Sequence, residues 1–81
     1  MLTDKIDFRE KLKLFDQYWV PKIVGEVNDQ YVKVAKAKGS MDWHSHQKED
    51  ELFLVIHGVL RIELRDQAIE LSPGECFIVP R

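Results

Sequence analysis

Short apolar runs, a two-residue alternation and closely spaced turn residues predict an all-β fold of the sandwich or barrel kind. The alternation is clearest at 60–65, where Leu60, Ile62 and Leu64 interleave with Arg61, Glu63 and Arg65. Turn signals punctuate the runs at Asn28-Asp29, Gly39-Ser40, Gly58, Arg65-Asp66-Gln67 and Ser72-Pro73-Gly74-Glu75. At 81 residues the chain makes a single domain, 1–81, without internal repeat, low-complexity tract or linker.

The first element is the exception to the two-residue period. Asp7-Phe8-Arg9-Glu10 resembles a capping box, in which Asp7 caps and Glu10 reaches back. Phe8, Leu12 and Phe15 follow at helical spacing, which predicts a short helix near 8–15, with an extended arm as the alternative. Residues 18–24 are aromatic and β-branched, and Pro21 among them predicts an edge strand. After the Asn28-Asp29 turn, residues 31–38 form a strand whose alternation slips from Val32 and Val34 to Ala35 and Ala37. A bulge near Val34 or a loop end would account for the slip.

Gly39-Ser40 ends that strand, and 51–56 forms the next, apolar on both faces. Leu52, Leu54 and Ile56 share one side; Glu51, Phe53, Val55 and His57 share the other. A strand of that kind is expected to be covered on both faces. Gly58 turns the chain into the half-buried strand at 60–65. A short strand at 68–71, a turn with Pro73 and Gly74 where a type II turn wants them, and a last strand at 76–79 complete the reading.

Composition narrows the function. Lys and Arg number 12 against 14 Asp and Glu, so the chain lacks the basic surface a nucleic-acid binder needs. No apolar run approaches the roughly 20 residues of a membrane span, and no signal region opens the chain. Cys76 is the 1 cysteine, so no internal disulfide forms and a cytoplasmic setting is expected. The charge is uneven: residues 1–40 hold eight basic and six acidic side chains, residues 41–81 four basic and eight acidic.

The stretch with chemistry is Trp43-His44-Ser45-His46-Gln47-Lys48-Glu49-Asp50-Glu51. In an extended strand, side chains two apart point the same way, so His44 and His46 face one point. If the segment carrying Glu51 pairs with theirs or lies beside it, the carboxylate meets the two imidazoles. Two histidines and a carboxylate suit Fe(II) with open positions, and also Zn or Mn. A bare His-x-His pair is by itself more often decoration than a site.

The wider spacing is more specific: Gly39, four residues, His44, one residue, His46, four residues, Glu51, six residues, Gly58. It resembles the first conserved motif of the cupin superfamily, and 70–81 resembles the opening of the second. The resemblance implies a double-stranded β-helix, or jelly-roll barrel, preceded by a short helix or arm. It implies a divalent metal (Fe, Mn, Zn or Ni) held by His44, His46 and Glu51. In the family the second motif runs on to a further histidine ligand and closing strands. With Arg81 the last residue, the expectation is a C-terminally shortened domain with water in the fourth position. The function expected is a small metal-binding cupin acting on or binding a small molecule, with catalysis and catalytic residues left open. The alternative is a non-catalytic scaffold that self-associates or binds a partner through an open edge.

Other side chains have plain readings. His57 lies at a strand end, Glu49 and Asp50 in a solvated turn, and Tyr31 and Trp43 read as packing or interface aromatics. Cys76, beside Phe77-Ile78-Val79, reads as a small core residue. A short barrel leaves edges and apolar surface uncovered, so a homodimer is expected, made by strand pairing between chains across more than about 2,000 Å².

Overall fold

The computed structural model describes residues 4–42 and 49–81, with side chains described for 4–39 and 49–81. Their contacts group into two compact units, Met1–Lys38 and Gly39–Arg81.

The first unit opens with α1, Phe8–Leu12. The Asp7 side chain caps it, accepting hydrogen bonds from the backbone N–H groups of Arg9 (3.0 Å) and Glu10 (3.3 Å). Only half of the expected capping box forms, because Glu10 turns its carboxylate to Lys13 Nζ at 2.8 Å. The helix is shorter than the expected 8–15, since Lys13 already closes it as C-cap. Strands β1 (Lys22–Val27) and β2 (Gln30–Val34) then form an antiparallel hairpin. Asn28 takes the turn with φ +56°, a left-handed conformation that asparagine tolerates.

Two expectations for this hairpin change. β1 starts after Pro21 rather than running through it, because proline has no N–H to give a ladder. Tyr18 makes only an isolated bridge to Lys36, and Trp19 N–H donates to Lys36 O at 2.7 Å. The bulge lies in β1, between Ile23 and Gly25, and not near Val34. β2 ends at Val34, short of the expected 38, so the loop end is the alternative that holds; beyond it Lys36 stays half-buried on the parity of Val32 and Val34, and Ala35 and Ala37 are exposed. Phe15 ties the unit together: Lys36 Nζ donates to its carbonyl at 2.5 Å, and the Lys36 and Lys22 ammoniums lie 5.1 and 5.7 Å from its ring.

The second unit holds two sheets. β3 (Ser40–Asp42) runs parallel to β5 (Leu60–Glu63), which pairs antiparallel with β6 (Ala68–Leu71). β4 (Glu51–Leu54) pairs antiparallel with β7 (Cys76–Val79) in a separate ribbon. Val55, Ile62, Leu71 and Val79 form one buried cluster, with Phe53, Leu60, Leu64, Ile69 and Phe77 packed against it. Both sheets therefore turn one face to a common core.

The turns of this unit follow the sequence. Leu64 N–H donates to Gln67 O at 2.8 Å across Arg65-Asp66. Gly74 sits at φ +87°, and Glu75 N–H returns to Ser72 O at 3.0 Å, as a type II turn requires. The Glu75 carboxylate accepts from Ser72 N–H at 2.7 Å and locks the same turn. Gly74 N–H and Glu75 O hold Val55 at 2.8 and 3.0 Å, so the turn is fastened to the end of β4.

Candidate metal centre

Glu51 opens β4, as the spacing predicts. Asp50 just before it is fixed by Arg81 N–H, which donates to Asp50 Oδ1 at 3.1 Å beyond the end of β7. In register, Glu51 lies opposite Val79, which is fully buried, and Phe53 lies opposite Phe77. The period of two puts Glu51, Phe53, Phe77 and Val79 on the core-facing side of the ribbon. Glu51 is the one charged side chain in that set.

Its position has a cost. Glu51 Oε2 is buried and has no hydrogen-bond partner among the described residues. A buried acceptor without a donor costs about 1–3 kcal/mol, more when it is charged.

His44 and His46 lie outside the described residues. The chain reaches them from β3, whose three residues lie alongside Arg61, Ile62 and Glu63 of β5. β3 and β4 do not pair, being strands of different sheets. Among the described residues, no three His, Cys, Asp or Glu side chains come together as a metal-holding group.

The remaining candidates fall clearly. His57 is exposed, and Glu49 and Asp50 are exposed in the turn before β4. Tyr31 is also exposed, on the outer side of the β1–β2 hairpin, and Trp43 lies outside the described residues. Cys76 is not a core residue. It is exposed, because Phe77 and Val79 take the inward positions and leave Cys76 and Ile78 on the outer face. Parity sets Cys76 with Ile78 against Phe77 and Val79, but the choice of inward pair came from the packing. The lysine–aromatic cluster at Phe15 had no sequence signal, since its partners lie 7 and 21 positions along the chain.

Two small sheets sharing one apolar core, with Glu51 on the core-facing side of one of them, define a small all-β domain. A family model described as cupin domain matches residues 30–81. The chain belongs to that family, and its fold is the cupin jelly roll. A solved structure of a cupin-2 domain containing protein from Shewanella frigidimarina NCIMB 400 is similar, with a TM-score of 0.87 and 42% identity. The match covers 94% of this chain and 74% of that one. The uncharacterized protein YdbB of Bacillus subtilis (strain 168) is 37% identical over 59 residues, 72% of this chain. The chain spans about half the length of that curated relative, with 52% of it covered. No helix among the described residues is long and apolar enough to cross a membrane.

Proposed function

We propose that this cupin binds a divalent metal ion, Fe, Mn, Zn or Ni, through His44, His46 and Glu51. The observation that carries the reading is the buried, unpartnered Glu51 Oε2 on the core face of β4. A cation completes such an oxygen, and a carboxylate with two neutral imidazoles supplies lone pairs at neutral pH. The strand parity of His44 and His46 supports the pair acting together, and β3 leads to them from the sheet that faces Glu51 across the core. When bound, the metal supplies a Lewis-acidic centre with open positions for a small molecule. The chain's own part is to hold the carboxylate in a dry apolar wall formed with Phe53, Phe77 and Val79. The setting we infer is cytoplasmic, where a lone exposed thiol such as Cys76 stays reduced.

The test is metal content after purification without chelator. One equivalent of a transition metal is expected, lost in the His44→Ala/His46→Ala double variant. Glu51→Ala should weaken binding by more than the roughly 10–100-fold typical of residues standing behind the ligands. Full metal content in both variants would refute the assignment.

A further inference from the structure

Glu51 stands at the last rung of the β4–β7 ribbon, opposite Val79, and the end of a ladder is where strands fray. The chemistry of Glu51 favours fraying. Its Oε2 is buried without a partner among the described residues, and peeling the strand end outward would return that oxygen to water. A bond just beyond the last rung opposes this: Arg81 N–H donates to Asp50 Oδ1 at 3.1 Å. The ladder itself presents that donor. Bonded residues alternate along an antiparallel pair. Val55 N–H donates to Glu75 O, and the same parity runs through Phe77 and Val79 to Arg81. Pro80 has no N–H, so Arg81 supplies the first donor past the last rung. A continued ladder would give it to the Glu49 carbonyl, and the Asp50 side chain takes it instead.

We propose that Asp50 is the positioning residue for Glu51: its carboxylate clasps Arg81 N–H, closes the end of the ribbon and keeps the Glu51 carboxylate on the core face. The consequence for metal binding rests on the reading given above; the clasp itself does not. A hydrogen bond to a carboxylate is stronger than one to a neutral carbonyl, so the side chain makes a firmer end stop than a further rung. Asp50 is also the chain neighbour of Glu51, so Glu51 cannot peel outward without pulling on this bond. Neighbouring side chains of a strand point to opposite faces, and Asp50 is exposed while Glu51 is half-buried. Asp50 thus acts on Glu51 through the backbone and leaves the surroundings of Oε2 free.

Nuclear magnetic resonance on the metal-free chain and calorimetric titration with zinc test this together, at a temperature where every variant is folded. Asp50→Ala removes the acceptor, Arg81→Pro removes the donor, and Asp50→Asn keeps an acceptor oxygen without the charge. In the first two, the Val79 amide should exchange with solvent at least about tenfold faster, as loss of a hydrogen bond to a charged group implies. The contact between the Glu51 and Val79 side chains, which stand opposite each other in register, should be lost. Zinc binding should weaken about 10–100-fold, the usual effect of removing a group that orients a ligand and one that a bond serving stability alone would not produce in folded protein. Asp50→Asn should stay close to wild type in all three readouts. An unchanged Glu51–Val79 contact in Asp50→Ala, or an Asp50→Asn that behaves like Asp50→Ala, would overturn the clasp. A lost contact with undiminished zinc affinity would overturn the positioning role. A wild type that takes up no zinc would refute the metal reading alone, and the metal-free measurements would still decide the clasp.

Discussion

Glu51 is a residue whose burial stands against folding. Its Oε2 is buried without a partner among the described residues, beside the fully buried Val79. Replacing an unsatisfied polar group by an apolar one of the same shape is close to neutral or stabilising. Glu51→Met should therefore leave the metal-free melting temperature unchanged or raise it; on the proposed metal assignment it should also abolish the rise expected when metal is added to wild type. At a metal concentration of 100 times Kd that rise corresponds to about 2.7 kcal/mol. Calorimetry with and without chelator reads both, and a lower metal-free melting temperature would mean that the carboxylate is paired. Two glycines make a second contrast at this scale. Gly58 has φ +79° with open space where a Cβ would stand, so Gly58→Ala should cost about 1–2 kcal/mol from backbone conformation alone. At Gly25 a Cβ would meet Ile6 Cδ1 at 2.8 Å, but that methyl is the free end of a side chain and can swing aside. Gly25→Ala should change stability by less than about 1 kcal/mol, the gain from a stiffer unfolded chain offsetting the push on Ile6. Denaturant melts of the two variants test the difference.

At the scale of elements, local hydrogen bonding explains what was legible and what was not. The Asp7 cap, the Asn28 turn and the Ser72–Glu75 turn involve partners within three positions, so their residues announce them. Asp7 satisfies two N–H groups of a helix of 5 residues, and a helix so short has little else to hold it. Asp7→Ala should cost about 0.5–2 kcal/mol, read as a lower denaturation midpoint with an unchanged slope. The β1 bulge was not legible, because it depends on how β1 registers against β2 and not on either strand alone. The same holds for Leu52, Leu54, Cys76 and Ile78. Periodicity places them on one side of their strands, but whether that side is core or surface depends on which sheet the strands join.

For the whole molecule, stability concentrates where the sheets meet. A chain of this size has roughly 4–12 kcal/mol in total at the usual yield per residue. Ile62 and Val79 are both 0% exposed, one from each sheet. Ile62→Ala should cost about 2–5 kcal/mol, a large share of that total. A melting temperature lowered by at least about 8 °C is the expected readout. Arg61→Ala, which breaks only exposed ion pairs, should cost less than about 1 kcal/mol.

From the sequence alone came the all-β class, the order and approximate bounds of β4 to β7, the grouping of Glu51 with Phe53 and Val55 on one face, and the resemblance to cupins. These follow from side-chain alternation and turn chemistry, which act over a few residues, and from a motif written in fixed spacings. Tertiary structure decided that β3 and β4 belong to different sheets, that Glu51 Oε2 is left without a partner among the described residues, and that Cys76 and Leu54 face outward. Each depends on contacts between segments far apart in the chain. A strand's residues state which side chains share a face, but only the packing of other strands determines which face meets the core.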